Sequence, residues 1–237
     1  MRALLLAAGL GTRLRPLTDR TPKCLVPIHG RPLLDYWLEL LIGAGIEHIL
    51  INTHWLPERV NEFIAASPYS DRVNLVHEPE LLGTGGTVWA NRDFFKGADF
   101  LLAHADNLTD FDVKALMKAH ATRPTECAMT MLAFRTDDPR SCGILELDDR
   151  SIVTAFHEKV ENPPGNLANG AVYVFSPEFI ERLAGFAGPF IDLSTEVIPG
   201  FIGRILALET VGYHRDIGNA ASLSSAEIEF AARPRLS

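Results

Sequence analysis

The sequence predicts an α/β fold in which a doubly wound, mostly parallel sheet is followed by a strand-rich second half. Three observations support this prediction. Short apolar runs alternate with helix-like segments as far as residue 125, which is typical of parallel strands joined by crossover helices. Polar or glycine-rich residues follow several of these runs, at the strand ends where such sheets bind ligands. Beyond residue 125 the segments are mainly strand-like, so a second architecture follows the first.

Continuous apolar runs identify the strands of the first half. Ala3–Ala7 is such a run, bounded by Gly9, and suits a strand that is covered on both faces. Residues 8–31 form a loop rich in glycine, proline, threonine and arginine, and prolines and glycines delimit the helices that follow. The remaining predicted elements are a helix at Pro32–Ala44, a strand at Glu47–Thr53, a helix at Pro57–Ala66, a strand at Val73–His77, a helix after the turn Gly83–Gly86, a strand at Asp99–Ala103 and a helix at Asp110–Ala121.

The second half is expected to cover the mouth of the first. Its predicted elements are strands at Cys127–Phe134, Gly143–Leu147, Ile152–Phe156, Ala168–Phe175 and Ile205–Val211, with helices at Glu178–Leu183 and Ala220–Ala232. Because no proline-rich linker separates the halves, we expect residues 1–237 to form a single domain whose halves are residues 1–125 and 126–237.

Charge and composition restrict the partners. The net charge of −8 argues against nucleic acid. Residues 1–31 nevertheless hold six basic side chains and one acidic side chain, so a small polyanion is the expected ligand there; the alternative is a solvated charge cluster. No apolar run approaches the ~20 residues that span a bilayer, and the N-terminal run is too short for a signal peptide. We therefore expect a cytoplasmic protein with no membrane partner and no obligate protein partner.

The three cysteines, Cys24, Cys127 and Cys142, are widely spaced and form no CxxC pair. A disulfide framework or a zinc site is therefore not expected. Each cysteine is predicted to be a reduced residue that is partly or fully buried.

The loop that follows the first strand has the chemistry of a phosphate-binding segment. Its glycines allow close backbone approach, and successive amide groups can surround an anion. Arg13 adds a planar donor group and Lys23 a mobile charge. The Walker pattern is absent, and Leu14 stands where the dinucleotide-binding pattern requires a small residue, which also argues against an NAD-dependent oxidoreductase.

Residues 9–18, GLGTRLRPLT, followed by Pro22 and Lys23, resemble the GxGTRLxPLT…PK signature of the sugar nucleotidyltransferases. The resemblance continues along nearly the whole chain and implies a Rossmann-like fold of the nucleotide-diphospho-sugar transferase type. Residues 1–125 would then bind the nucleotide and residues 126–237 the sugar. It implies that Arg13 stabilises the departing pyrophosphate and that Lys23 bridges the attacking and transferred phosphates. It also implies that the nucleotide is held by Ala7, Gly9, Gly11 and Thr12.

Residues 77–86, HEPELLGTGG, resemble the base-recognition segment of that family. The resemblance implies that Glu78, Gly83 and Thr84 contact the nucleotide, with glycine required because a side chain would fill the base pocket. Thr84 has a second interpretation, as the N-cap of the following helix. The LGTGG form resembles that of guanylyltransferases that act on mannose- or heptose-like phosphates, and differs from thymidylyl- and uridylyltransferase forms.

Asp106 and Asp216 are the candidate metal ligands. Asp106 follows a predicted strand, Asp216 precedes the last predicted helix, and carboxylate oxygens suit Mg²⁺. The family has metal carboxylates at these two positions, so the resemblance implies a Mg²⁺ cofactor and a catalytic role for Asp106. The alternative is helix capping, by Asp106 or Asp110 at one helix and by Asn219 at the other.

The sugar phosphate has its own candidate residues. Phe156–Lys159 resembles the family segment FxEKP, with Val160 in place of the proline. The resemblance implies that Glu158 binds sugar hydroxyls and that Lys159 binds the sugar phosphate; a surface ion pair is the alternative. The other implied sugar-phosphate contacts are Gly143, Asn169 and Gly170, of which Gly143 also suits a strand bulge.

The expected reaction transfers GMP from GTP to D-glycero-α-D-manno-heptose 1-phosphate, giving a GDP-sugar for surface polysaccharide and pyrophosphate. A mannose-1-phosphate guanylyltransferase and an amino-sugar-1-phosphate uridylyltransferase are the alternatives within the family. A non-catalytic regulator that binds a nucleotide sugar is the alternative outside catalysis.

Overall fold

The computed structural model describes residues 1–186, 188 and 190–232 and confirms the predicted α/β class. The strands are β1 (Arg2–Leu6), β2 (Pro27–Ile28), β3 (Arg31–Pro32), β4 (His48–Thr53), β5 (Val73–His77), β6 (Phe100–His104), β7 (Asn107–Thr109), β8 (Met129–Arg135), β9 (Gly143–Leu147), β10 (Val153–Glu158), β11 (Leu167–Phe175), β12 (Ile205–Glu209) and β13 (His214–Asp216). The α-helices are α1 (Leu33–Gly43), α2 (Pro57–Ala66), α3 (Gly83–Ala90), α4 (Val113–Ala121), α5 (Pro177–Leu183) and α6 (Ala220–Ala231).

The chain divides into two compact units, each built from separate stretches of sequence. Unit 1 comprises residues 1–4, 81–103 and 112–211. Unit 2 comprises the described residues of 5–80, 104–111 and 212–237. The organisation of residues 1–237 as one domain with halves at residue 125 stays a prediction.

Unit 2 is organised around parallel strands. The end of β1 lies next to β4, and β4 pairs in parallel with β5 from Ile49 opposite Val73 to Thr53 opposite His77. Leu5, Ile49 and Ile51 are fully buried, as expected for strands covered on both faces. The short strands β7 and β13, which the sequence analysis did not predict, form an antiparallel pair that belongs to this unit.

Unit 1 contains the strand-rich part of the fold. Its strand β11 pairs antiparallel with β6, β8 and β9, and β12 pairs in parallel with β8. A run of aromatic rings packs in its core, with centroid separations of 3.9 Å for Phe95–Phe100, 5.4 Å for Phe100–Phe175 and 3.7 Å for Phe175–Phe179. All four rings are at least 98% buried, so they contribute a large part of the apolar area of this unit.

Capping side chains fix two helix starts. Asp112 accepts a hydrogen bond from the Ala115 amide at 2.9 Å, so α4 begins at Val113 and not at the predicted Asp110. Asn219 accepts from the Ser222 amide and caps α6, as the capping interpretation proposed.

No helix within the described ranges is long and apolar enough to cross a bilayer. Cys24 and Cys127 are buried and Cys142 is partly exposed, and all three are free thiols as predicted.

His120 is a buried imidazole in unit 1. Its Nδ1 lies 3.0 Å from the Thr130 hydroxyl oxygen, while its Nε2 is buried and lies 3.6 Å from Asp99 Oδ2, beyond hydrogen-bonding distance. Burial and the nearby Arg123 charge lower the pKa of His120 to about 4, and the Asp99 carboxylate opposes this shift only in part. The native protein therefore holds this imidazole neutral.

We expect His120 to make stability fall at acidic pH. Because its pKa is about 4 in the native protein and about 6.5 in the unfolded chain, its stabilisation is complete above pH ~6.5 and declines as the pH falls toward 4. The free energy of unfolding should drop by roughly 2 kcal/mol between pH 7.5 and pH 5 because of this residue. Urea unfolding at both pH values should show a smaller drop for His120→Gln and an unchanged drop for His48→Gln, an exposed histidine. Equal drops in all three proteins would contradict the assignment.

Candidate active site

A buried ammonium group forms the centre of the candidate site in unit 2. Lys23 follows Pro22 in a short helical turn, and its side chain is 9% exposed. Its Nζ lies 2.7 Å from Asp106 Oδ2 and 3.2 Å from Asp216 Oδ1. Those two carboxylates are 35% and 51% exposed, so each has one side toward Lys23 and another toward solvent. The structure thus brings together three of the four residues for which the sequence predicted catalytic or metal-binding roles, the fourth being Arg13.

Two strand contacts place the carboxylates beside each other. Strand β13 pairs with β7 so that Asp216 stands opposite Asn107, the neighbour of Asp106. The Ile217 amide also donates to the Asp106 carbonyl at 2.9 Å. Gly218 follows, and a Cβ there would collide with the Asp216 carboxylate and lie 3.0 Å from Arg13 Nη2. The absence of a side chain at residue 218 therefore lets the Asp216 carboxylate occupy its position.

Electrostatic interactions keep Lys23 and Asp106 charged. Burial by itself lowers the pKa of Lys23, but the charges of Asp106 and Asp216 outweigh it and the pKa is raised. Burial likewise raises the pKa of Asp106, yet the Lys23 ammonium, with a smaller contribution from His104, brings it below its usual value. The ammonium and the Asp106 carboxylate are consequently both ionised around pH 7.

The two carboxylates fit a divalent cation in part. One oxygen from each lies within 3.2 Å of the same Lys23 nitrogen, so both point toward a common position. Such hard oxygen ligands suit a cation like Mg²⁺, which commonly takes one or two carboxylates together with phosphate oxygens. Within the part of the chain that the structure describes, no group of three or more His, Cys, Asp or Glu side chains could hold a metal ion. A metal at Asp106 and Asp216 would therefore take its other ligands from substrate or water.

The glycine-rich loop adjoins this centre. Ala7, Gly9, Lys23 and Asp106 line one small recess of about 20 Å³ in unit 2, together with Leu6, Cys24 and Ala105. A Cβ at Gly9 would meet no atom within 4 Å, whereas at Gly11, where φ is +63°, it would lie 2.8 Å from the Thr18 methyl group. Gly11 is thus required by the turn, and Gly9 leaves open space beside the ion cluster.

Two other predicted loop residues lie in the short turn Thr12–Leu14. The Arg13 side chain is 67% exposed and its Nη2 is 3.9 Å from Asp216 Oδ2. This long, solvent-exposed ion pair leaves the guanidinium able to reorient toward an anionic ligand. The predicted role of the Thr12 backbone in nucleotide binding stays a prediction.

Glu78 is a buried carboxylate at the end of β5. It is 4% exposed, and its Oε1 accepts a hydrogen bond from Asn52 Nδ2 at 3.0 Å. Asn52 Oδ1 in turn accepts from the Ala7 amide at 2.7 Å. Asn52 was not selected by the sequence analysis, where its only signal is a polar side chain inside an apolar strand. The structure therefore connects two predicted nucleotide-binding positions through a third residue.

The LGTGG segment packs tightly within unit 1. A Cβ on Gly83, where φ is +74°, would lie 2.5 Å from the Ile191 carbonyl oxygen. The Thr84 hydroxyl accepts a hydrogen bond from the Leu193 amide at 2.8 Å, and α3 has no side-chain cap. The interpretation of Thr84 as an N-cap is therefore wrong, because its oxygen is used by the 191–193 segment. Contact of Gly83 and Thr84 with a nucleotide stays a prediction.

The predicted sugar residues of strands β9 and β10 lie side by side in unit 1. Gly143 stands opposite Glu158, and a Cβ on it would lie 2.6 Å from Glu158 Oε2 and from the Phe156 ring. Glycine at this position therefore allows Glu158 to lie over β9. Lys159 Nζ lies 3.1 Å from Glu158 Oε1, but the lysine side chain is 64% exposed, so the pair is the solvated kind that contributes little to stability.

Asn169 belongs to an irregular part of β11. Its Nδ2 donates to Tyr173 Oη at 2.7 Å, and its Oδ1 accepts from the Ala171 amide at 2.9 Å. The pairing of β11 with β8 shifts register between Asn169 and Tyr173, where Gly170 lies. Burial raises the pKa of Tyr173, and the nearby Glu158 and Asp192 charges raise it further. This buried phenol, which no sequence motif indicated, orients the Asn169 amide and lies close to Glu158.

Comparison with known proteins places these residues in context. A family model described as Nucleotidyl transferase matches residues 2–232. The chain is 32% identical over 221 residues to a mannose-1-phosphate guanylyltransferase of Mycobacterium tuberculosis (strain ATCC 25618 / H37Rv), a match that covers 91% of this chain and 60% of that protein. It is 33% identical over 234 residues to a glucose-1-phosphate thymidylyltransferase of Streptomyces griseus, covering 94% of this chain and 64% of that protein.

A solved structure is similar over almost its full length. The crystal structure of HddC from Yersinia pseudotuberculosis complexed with GMP-PN superposes with a TM-score of 0.81 at 25% identity, covering 97% of this chain and 99% of that chain. In contrast, the chain spans only about three fifths of the length of the curated relatives it matches.

The buried position of Lys23 predicts a clear effect of losing its nearest carboxylate. Asp106→Asn removes the charge 2.7 Å from an ammonium that is itself poorly solvated. Because Asp216 and solvent compensate in part, we expect the free energy of unfolding to fall by about 1 to 3 kcal/mol. Asp19→Asn breaks an exposed ion pair with Arg15 and should change it by less than about 0.5 kcal/mol. Equal urea midpoints for the two variants would contradict the proposed burial of the ion cluster.

Proposed function

We propose, on the premise that this chain belongs to the nucleotidyl transferase family, that it transfers a nucleoside monophosphate from a nucleoside triphosphate to a sugar 1-phosphate. The match of the family model to residues 2–232 confirms the family resemblance that the loop motif indicated. One observation supports the reaction most directly. Lys23 and Asp106 line the same recess as Ala7 and Gly9 of the glycine-rich loop, and Asp216 lies 3.2 Å from the Lys23 nitrogen.

The proposed chemistry needs charge neutralisation more than proton transfer. A phosphate oxygen of the sugar 1-phosphate attacks the α-phosphorus of the nucleoside triphosphate and forms a new P–O bond. The bond between the α-phosphorus and the oxygen that bridges it to the β-phosphorus breaks, and pyrophosphate leaves with the electron pair of that bond. Because the attacking phosphate is already an anion near pH 7, no general base is required, and positioning and electrostatic stabilisation supply the catalysis.

Basic side chains offset the repulsion between the two polyanionic substrates. The raised pKa of Lys23 keeps its ammonium protonated throughout the neutral range, so it can contact the attacking and transferred phosphates. Arg13 is exposed beside it and is the proposed partner of the departing pyrophosphate. We propose Asp106 and Asp216 as the ligands of Mg²⁺, which when bound would neutralise phosphate charge.

The buried carboxylate of Glu78 favours guanine among the bases. Guanine presents two adjacent donors, N1–H and the N2 amino group, which match the two oxygens of a carboxylate. Uracil and thymine present one N–H between two carbonyl oxygens, which a carboxylate repels. The relatives include proteins named for guanylyl transfer and for thymidylyl transfer, so their names do not select one base. The Glu78 carboxylate supports GTP, which the LGTGG segment also favours.

For the sugar, we propose D-glycero-α-D-manno-heptose 1-phosphate, with mannose 1-phosphate as the second candidate. Glu158 and Asn169 are the proposed hydroxyl contacts, and Lys159, exposed beside Glu158, is the proposed phosphate contact. Gly143 and Gly170 would let the sugar approach the backbone. A uridylyltransferase acting on an amino-sugar phosphate is the alternative if the base assignment fails.

The proposed reaction is tested by measuring pyrophosphate release with Mg²⁺ across GTP, ATP, UTP and dTTP, each with heptose, mannose and amino-sugar 1-phosphates. We expect release with GTP and the heptose phosphate. Lys23→Ala and Asp106→Asn should lower turnover by about 100-fold or more, because the first removes a positive charge from the phosphate site and the second weakens a proposed Mg²⁺ ligand. Lys114→Ala, an exposed lysine of α4, should leave turnover unchanged.

Each other outcome of this grid contradicts a defined part of the proposal. GTP with mannose phosphate would replace the sugar, and UTP or dTTP would replace the base. Full turnover in Lys23→Ala would remove that residue from the mechanism. No release with any pair, together with thermal stabilisation by a GDP-sugar, would identify the non-catalytic regulator instead.

Glu78→Gln is expected to change the preferred base. An amide offers one donor and one acceptor, which match the N3–H and O4 of uracil or thymine but not the adjacent N1–H and N2 amino donors of guanine. The ratio of kcat/KM for GTP to that for UTP should fall by about tenfold or more. Glu80→Gln, an exposed neighbour, is the matched control and should keep the wild-type ratio. An unchanged ratio in Glu78→Gln would exclude this carboxylate from base recognition.

A further inference from the structure

Asn52 is a polar side chain where the fold otherwise places apolar ones. It lies in β4 beside the fully buried Ile51, and it is 3% exposed. Burying an amide is unfavourable unless its hydrogen bonds are made. The side chain must therefore be understood through the groups that it contacts.

The two ends of this amide contact chemically opposite partners. Oδ1 accepts from the Ala7 backbone amide at 2.7 Å, and Nδ2 donates to Glu78 Oε1 at 3.0 Å. If the amide were reversed, its NH2 group would face the Ala7 N–H, a second donor, and its oxygen would face the Glu78 carboxylate, a second acceptor. The partners therefore fix the orientation of the Asn52 side chain.

Strand order explains how one side chain reaches both partners. β4 lies between β1 and β5, Ala7 immediately follows β1, and Glu78 immediately follows β5. The Glu78 amide also donates to the Thr53 carbonyl at 2.8 Å, so its backbone is held at the end of the middle strand. Asn52 thus connects the first residue of the phosphate-binding loop with the buried carboxylate.

We infer that Asn52 is a positioning residue for base selection: its amide sets the plane of the Glu78 carboxylate relative to the phosphate-binding loop. This inference rests on the proposed nucleotide site. A carboxylate matches the two donors of guanine only when both of its oxygens are presented at the correct angle. A rotated carboxylate loses that match but can still make one hydrogen bond to any base, so discrimination falls more than binding does.

Asn52→Asp removes the hydrogen bond to Glu78 and keeps the one from Ala7. The substituted side chain keeps an acceptor for the Ala7 amide and the same shape, but it replaces the donor to Glu78 with a second carboxylate. We expect the ratio of kcat/KM for GTP to that for UTP to fall by about tenfold or more. The double variant Asn52→Asp with Glu78→Gln restores a donor–acceptor pair in the opposite sense, so its urea midpoint should recover toward wild type.

Asn74→Asp is the matched control. It makes the same chemical change at an exposed position of the neighbouring strand β5, and it should alter neither the ratio nor the urea midpoint. A purely structural role for Asn52 predicts that Asn52→Asp lowers stability and weakens all nucleotides equally. An unchanged GTP to UTP ratio in that variant would overturn the inference.

Nucleotide binding without sugar phosphate separates this inference from the proposed reaction. Thermal shifts with GTP and with UTP should show a preference for GTP in the wild type that Asn52→Asp loses. A wild type that binds GTP but releases no pyrophosphate would defeat the proposed reaction, and the inference would then be decided by whether Asn52→Asp loses that preference. A wild type that is stabilised equally by GTP and UTP, or by neither, would overturn the inference.

Discussion

The buried ammonium of Lys23 is the constraint on which the architecture of unit 2 depends. A cation with so little access to water requires compensating charge, and its two carboxylate partners are 83 and 193 residues away in sequence. The chain supplies the second carboxylate where it returns to unit 2 after residue 211 and forms β13, which ends at Asp216. Without the β7–β13 pair, Asp216 would have no reason to lie beside Asp106. The ion cluster thus links the first strand–loop unit to the last segment before α6.

Local sequence signals predicted most of the secondary structure, because they act within a few residues. The bounds of α2, β5 and β9 agree with the prediction residue for residue, since a proline starts the helix and continuous or glycine-initiated apolar runs define the strands. The start of α4 was wrong by three residues because the capping side chain is Asp112. Strands β7 and β13 were missed because three-residue strands carry no periodicity, and the pairing that creates them spans more than a hundred residues.

In the candidate site too, residues that a motif marks could be predicted, whereas residues that act through distant contacts could not. Lys23, Asp106 and Asp216 were selected from the family resemblance, and their roles stay predictions. In the structure an oxygen of each aspartate lies within 3.2 Å of the Lys23 side-chain nitrogen. Asn52 and Tyr173 were missed because each acts through a partner that only the folded strands bring near. A single polar residue in a buried strand gives no indication of its partner until the strand order is known.

Glycines show how the backbone makes room for the functional groups. At Gly218 and Gly143 the volume of a side chain is taken by a carboxylate, of Asp216 in one case and Glu158 in the other, so these glycines are explained by atoms of the protein itself. Gly9 differs, because a Cβ there would meet nothing within 4 Å. Gly9 lines a small recess that Lys23 and Asp106 also line. The proposed role of the loop in phosphate binding would use this space, because phosphate oxygens can approach the backbone closely only where no side chain intervenes.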